Sequence, residues 1–255
     1  MRTHALRLTA IADFPDIRAG DDLGRSICAA VRGYRLDLHD GDVLVVAQKV
    51  VSKAENRYVD LKTVVPTSRA LELAATTGKD ARLVEVILRE SVRIVRAVPD
   101  VLIVEHRLGH VMANAGVDQS NVARAGDELA LCLPADPDAS AERLREALHR
   151  EFGCLTGVII NDSFGRPWRR GTVGVAIGAA GLPSIVDLRG SSDRYGRTLR
   201  ATVVGFADEI AAAASLLMGQ ADEGQPVVHV RGLAWTRPSL PARELVRPAR
   251  EDLFR

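Results

Sequence analysis

The run from Gly157 to Gly178, GVIINDSFGRPWRRGTVGVAIG, gathers the residue types that chemistry on phosphates requires. An apolar stretch from Gly157 to Ile160 leads into Asn161, Asp162 and Ser163, followed by Gly165 and the pair Arg169 and Arg170. A buried strand that delivers a carboxylate and a hydroxyl, with guanidinium groups close behind, suits a hard cation held against phosphate oxygens. Asn-Asp-Ser is also ordinary turn chemistry, so the triplet by itself leaves both readings open. The segment NAGVDQSN, Asn114 to Asn121, repeats the logic. There Gly116 permits a tight backbone, and Asp118, flanked by amides and a hydroxyl, is expected to offer oxygen ligands with no competing positive charge nearby.

Two further segments complete the set. Asp42 to Val51, DVLVVAQKVV, reads as a buried strand in which alternation places Lys49, Val51 and then Lys53 on one face. Lys53 would emerge where a phosphate can sit, or serve as an ordinary surface lysine. The loop Met218-Gly219-Gln220-Ala221-Asp222-Glu223-Gly224-Gln225 is polar and bounded by glycines, as a nucleotide-wrapping loop or a solvent-exposed connection would be. Familiar signatures are missing. There is no GxxxxGK[ST] loop, and GVAIGAAG does not fit GxGxxG spacing, so neither a P-loop nor a Rossmann site is expected. His106 and His110 stand at i, i+4 without the Glu of a zincin and with Gly109 between them, which reads as structural.

The elements that must position these residues alternate irregularly, which predicts an α+β fold. Strands are expected over Leu6–Ala12, Asp42–Val51, Val101–Glu105, Val111–Ala113, Thr198–Phe206 and Pro226–Val230. Helices are expected over Asp22–Val31, Ser68–Thr76, Asp80–Arg96, Ser140–Phe152 and Ala207–Met218, with Asp80 as an N-cap and Gly153 and Gly219 closing two of them. From Trp235 the composition turns to Pro and charge. The expected organisation is a single domain over 1–235 and a docked tail over 236–255.

Composition bounds the partners. With 255 residues, 47% hydrophobic and 26% charged, the chain can bury a sizeable core. A formal net charge of +1 argues against an extended nucleic-acid footprint. Only Lys49, Lys53, Lys62 and Lys79 are lysines, and the other basic residues are arginines. Cys28, Cys132 and Cys154 are far apart with apolar neighbours, as reduced core thiols would be. No apolar stretch approaches the roughly 18 residues a membrane span needs, and no signal-like segment opens the chain, so a cytoplasmic protein is expected.

Taken together, FPDIRAGDDL, DGDVLVVAQKVVSKAENR, NAGVDQSN, GVIINDSFGRPWRRGTVGVAIG, DRYGRTLRATVVGFADEIAAAASLLMGQ and DEGQPVVHVRG resemble the coenzyme F420-0:L-glutamate ligase family. The blocks run in the family's order to Gly232, and their combination is far more specific than any one of them. The resemblance implies a GTP-dependent ligase that adds L-glutamate to the lactyl carboxylate of coenzyme F420-0, with two divalent ions (Mg or Mn), potassium, and a homodimer of unusual α+β fold. It implies metal ligands at Asp118, Asp162, Ser163 and Gln220. It implies nucleotide contacts at Phe14, Pro15, Asp16, Ile17, Gln48, Lys53, Asn121 and the loop of Met218, Gly219, Gln220, Ala221, Asp222, Glu223, Gly224 and Gln225. Gln48 stands where the pattern often has Ser, and Ser163 where Thr is common. In some relatives a flavin-binding domain follows; none is expected here.

The implied chemistry agrees with the residue types. Amide formation from a carboxylate requires activation, and phosphoryl transfer asks a protein for positioning and charge neutralisation more than for covalent help. Lys53 with Arg169 or Arg170 would offset phosphate charge in that scheme. Another acid–amine ligase with a different acceptor, or a nucleotide-binding relative without catalysis, would carry much of the same pattern.

Overall fold

The computed structural model describes residues 5–122 and 127–252; the ends of the expected domain and tail at 1–4 and 253–255, and residues 123–126, lie outside the described residues. In chain order the first half holds β1 (Arg7–Ala10), α1 (Leu23–Gly33), β2 (Val43–Ala47), α2 (Gln48–Ala54), β3 (Tyr58–Asp60), α3 (Ser68–Thr77), α4 (Ala81–Arg89), β4 (Ser91–Val98), β5 (Val101–His106) and β6 (Val111–Ala113). The second half holds β7 (Leu129–Leu131), α5 (Pro137–Phe152), β8 (Gly157–Arg166), β9 (Arg169–Ala180), β10 (Val186–Asp187), β11 (Val203–Val204), α6 (Phe206–Met218) and β12 (Val227–Arg231). Helices and mixed sheets share one α+β fold, as expected.

A five-stranded sheet in the order β1-β12-β2-β8-β9 organises the site. The β2–β8 pair is parallel and the other neighbours are antiparallel. Its central strand is apolar throughout because both its faces are covered. Leu44 and Val46 pack with Ile27 and Val31 of α1 and Leu144 and Leu148 of α5. Val43 and Val45 pack on the other face against Ala207, Ile210, Ala211 and Ala214 of α6. Each such aliphatic side chain contributes about 1.5–3 kcal/mol when withdrawn from water. The alanines let α6 approach closely, and Gly174 of β9 is required beneath it. A Cβ there would overlap Ser215 Oγ and the Ala211 carbonyl oxygen.

A separate cluster joins α3 and α4 to the three-stranded sheet β4-β5-β6 through Leu73, Val84, Ile87, Leu102 and Val104. The β3–β7 pair lies between it and the site, and Asp118 bridges to Leu131 of β7, its N–H donating at 3.0 Å and its C=O accepting at 2.8 Å. The buried Asp138 accepts from the amides of Ala179 (2.9 Å), Ala242 (2.6 Å) and Arg243 (3.3 Å), and Ser184 Oγ donates to Pro241 O at 2.7 Å. Among the described residues no helix is long and apolar enough to cross a membrane.

Several elements differ from the sequence reading. The strand expected over 42–51 stops at Ala47, and residues 48–54 turn into α2. The helix expected over 80–96 stops at Arg89, and the run rich in β-branched residues that follows instead forms β4, in which Ile94 and Val98 pair with β5 and Val92 and Val95 fall at register shifts. The strand expected over Gly157–Ile160 continues to Arg166 and turns back as β9, with a register shift between Ile160 and Asn161. Of the strand expected over 198–206 only Val203–Val204 forms. Helix α5 starts earlier than expected, at Pro137, because Asp136 caps it by accepting from Ala139 N. Asp80, Gly153 and Gly219 cap helices as expected. Cys28 and Cys132 are buried and free, whereas Cys154 is only half-buried. His106 accepts from Leu108 N at 2.9 Å, and His110 packs edge-on against Phe164, so both are structural.

Candidate active site

The sheet topology brings the candidate segments to one edge. Because β12 is antiparallel to both β1 and β2, the loop after β1, the turn from β2 into α2, the C-terminal half of β8 and the loop before β12 all open on the same side. The carboxyl ends of parallel strands are where open sheets bind ligands. A cavity of about 670 Å³ lies there. Phe14, Pro15, Asp16 and Ile17 form one wall, and Gln48, Lys49 and Lys53 of α2 another. Asn161, Asp162 and Ser163 of β8 line it on a further side, Asn121 contributes from the loop that precedes β7, and Met218 to Gln225 closes the rim.

Strand alternation is thus not what aligns Lys49 and Lys53. They stand one turn apart on α2, at i and i+4, which presents them side by side. Lys49 Nζ lies 2.7 Å from Asp118 Oδ2 and donates to Ser120 Oγ (2.8 Å) and Ser120 O (3.1 Å). Ser120 N in turn donates to Asp118 Oδ1 at 2.8 Å. Burial alone would raise the Asp118 carboxyl, but Lys49 and Ser120 outweigh it and hold the group below its ordinary range. Asp118 is therefore set behind Lys49, reaching the cavity through that ion pair. Lys49 is absent from the candidate site residues drawn from the sequence; its spacing from Lys53 would have marked it had α2 been read as a helix.

Asp162 is differently placed. Burial pushes its carboxyl up to about 6, the charge of Asp118 adds to the rise, and Ser163 N–H (2.8 Å from Oδ1) and Lys49 oppose it. Lys53 is shifted the other way, its ammonium weakened by burial and by Lys49 and strengthened by Asp16. Two buried side-chain oxygens on the cavity wall, Asn161 Oδ1 and Gln48 Oε1, have no hydrogen-bond partner among the described residues. Asn161 is oriented by its Nδ2, which donates to Ser215 Oγ at 3.0 Å and contacts Met218 Sδ at 3.3 Å. Among the described residues no group of three His, Cys, Asp or Glu could hold a metal alone. Asp162 with the neutral oxygens beside it nonetheless fits a hard cation such as Mg²⁺, which binds through one or two carboxylates and completes its shell with substrate phosphates and water; Asp118 could join only by exchanging its Lys49 partner for the cation. Ser163 and Gln220 line the same cavity and are placed to contribute.

Arg169 and Arg170 are not brought in. They stand exposed at the turn end of the β8–β9 hairpin and are absent from the described cavity lining. The loops from 114–121 and 218–225 are tied together, with Asn121 Nδ2 donating to Ala221 O at 2.8 Å. Wall, floor and rim thus combine oxygens for a cation, an ammonium for phosphates, and a volume able to take a nucleotide.

The chain matches the model of the F420-0:gamma-glutamyl ligase family over residues 12–232. It belongs to that family. Proteins named coenzyme F420:L-glutamate ligase are similar along nearly the whole length. That of Methanothermobacter thermautotrophicus is 47% identical over 98% of this chain and 99% of its own. That of Methanopyrus kandleri is 47% identical over 98% of both chains, and that of Methanocaldococcus jannaschii 41% identical over 95% of this chain and 94% of its own. The matched span begins just before the Phe14–Ile17 wall and ends just after β12, so family membership covers every segment that lines the cavity.

Proposed function

We propose that this member of the family is a GTP-dependent ligase that forms an amide between L-glutamate and a carboxylate of coenzyme F420-0, in coenzyme F420 biosynthesis. The observation that carries the reading is the meeting of Asp162 and Lys53 in one cavity large enough for a nucleotide. Phosphoryl transfer from GTP to the acceptor carboxylate gives GDP and an acyl phosphate; the glutamate amine then attacks the acyl carbon and releases phosphate. The same cycle can repeat on the product to add further glutamates.

Residues Asp118, Asp162, Ser163 and Gln220 would hold two divalent ions, Mg or Mn. Bound there, such ions would supply the positive charge that phosphoryl transfer needs. Lys53 offsets the remaining charge on the phosphates, and Lys49 fixes the orientation of Asp118. Phe14 to Ile17, Gln48, Asn121 and the loop from Met218 to Gln225, chiefly through its backbone, wrap the nucleotide. Arg169 and Arg170, outside the cavity lining, act in this reading on the approach of anionic substrates. Potassium, a homodimer and a cytoplasmic location complete the proposal. The test is to incubate the protein with F420-0, L-glutamate, GTP and Mn²⁺ and follow product mass and phosphate release. Phosphate released in step with a mass increase of one glutamyl group is the expected result. GTP turnover that needs another acid would reassign the acceptor.

A further inference from the structure

The loop that follows α6 holds an anion of its own. Glu223 turns back on the loop that carries it, and Ala221 N donates to its Oε2 at 2.8 Å. The amides of Ala221, Glu223 and Gln220 together hold this carboxylate below its ordinary range. The seat exists because residue 219 is glycine, with φ +70° and ψ −174°; a Cβ there would overlap the Glu223 carboxyl carbon and both its oxygens. Nothing about α6 favours an acid here. A carboxylate just beyond a helix C-terminus lies at the negative end of the macrodipole. Backbone amides converging on one point are what bind oxyanions. The seat is also braced, since Ala221 gives its N–H to Glu223 while its C=O accepts from Asn121. It opens on the cavity that Lys53 lines, and Glu223 is exposed, so rotation of its side chain frees the seat.

We propose that the amide of Ala221, with those of Gln220 and Glu223 beside it, forms an oxyanion seat for one substrate, and that the Glu223 carboxylate occupies it until the substrate's anionic group displaces it. This inference rests on the ligase reading above, in which two substrates bring oxyanions: the phosphates of GTP and the carboxylates of L-glutamate. A seat occupied from within weakens apparent affinity by the fraction of time it is filled. If Glu223 fills it roughly two-thirds to nine-tenths of the time, emptying it tightens binding about three- to tenfold.

Calorimetric titration of the full chain with Mg·GTP and, separately, with L-glutamate tests this in wild type, Glu223→Gln and Glu223→Asp, with thermal melts as a folding control. Gln removes the charge, whereas Asp keeps the charge but is one methylene too short to reach the amides. The expected result is that both variants bind one ligand about three- to tenfold more tightly and the other as wild type does; the ligand that gains identifies the source. Tighter binding by Glu223→Gln alone would mean that bulk charge repulsion acts without an occupied seat, and would overturn the proposal. Weaker binding by both variants would make Glu223 a ligand contact and overturn it too. Unchanged affinities beside normal wild-type binding would remove the seat alone, whereas a wild type that binds neither ligand would remove the ligase reading with it.

Discussion

The side-chain amide of Asn121 donates to the carbonyl oxygen of Ala221 at 2.8 Å, linking two cavity loops separated by 100 positions in the chain. Neither loop has a regular element at that point to hold it, so this bond sets the rim's position over the cavity. Asn121→Ala leaves the rim loop untethered. Loss of one partly exposed hydrogen bond costs about 0.5–1.5 kcal/mol. The expected outcome is a rise of about two- to tenfold in KM for GTP with a melting temperature lowered by no more than about 2–4 °C, measured by steady-state kinetics and thermal melts.

Asp162 should trade stability against function. Its carboxyl is raised to about 6 by burial and by Asp118, so near neutral pH the group is ionised in the fold at a cost that the unfolded chain does not bear. For an acid raised in this way, stability falls as pH climbs from the ordinary carboxylate range through 6. Asp162→Asn removes that cost and should melt at or above the wild-type temperature in chelator at pH 7. The same variant should lose ligation, since a neutral amide holds a hard dication poorly. Asp118→Asn should lose ligation also. Wild-type turnover undiminished by excess chelator would contradict both expectations.

Gln220 separates a metal-completing role from an inert rim position. Exposed loop positions usually tolerate polar substitution within about 0.5 kcal/mol. Gln220→Ala should fold normally but require more Mn²⁺ or Mg²⁺ for half-maximal activity. Gln220→Glu should keep a ligand and instead weaken GTP binding by adding charge near the phosphates. Metal titrations of ligase activity for wild type and both variants make the comparison; superimposable curves would return Gln220 to the surface.

His110 should set part of the acid limit of stability. Burial and the proximity of His106 lower its pKa to about 4, from an ordinary value near 6.5. A histidine lowered in the fold is held neutral there, while the unfolded chain takes up a proton below 6.5. Its contribution is therefore complete above 6.5 and is lost as pH falls from 6.5 towards 4. His110→Leu, which keeps an apolar contact with Phe164, should flatten the stability slope across that window. Urea midpoints between pH 4 and 7 for both proteins would show it.

The legible parts were those whose signal is local. Asp162, Ser163 and the 218–225 loop declare themselves by residue type, and Gly153 and Asp80 by capping chemistry. The β2–α2 boundary was not legible, because Gln48 and Lys49 are flanked by apolar residues on both sides and the run contains neither Gly nor Pro. The ladder between β2 and β8 closes at Ala47 and Asn161, a tertiary fact that the local sequence does not carry. For the same reason Lys49 was placed on a strand face, although its partner Asp118 lies far along the chain. The run SVRIVRAV continues the preceding helix in charge pattern but pairs as β4 once β5 is beside it. Sequence proximity to Asp162 suggested a site role for Arg169 and Arg170; a hairpin instead carries them away along its strands.

The pairing of β1 with β12 gives the site a place in time. Arg7 opposes Arg231, so the strand that leads into the Phe14–Ile17 wall is held in the sheet only through a partner translated near the end of the ligase region. The rim loop also lies just before that partner. While the ribosome is still making β8, the emerging chain already carries Asp118, Lys53 and Asp162, yet it has no closed cavity to bring them to a nucleotide. A nascent or prematurely ended chain that lacks β12 is thus expected to have no ligase activity until that strand has been made.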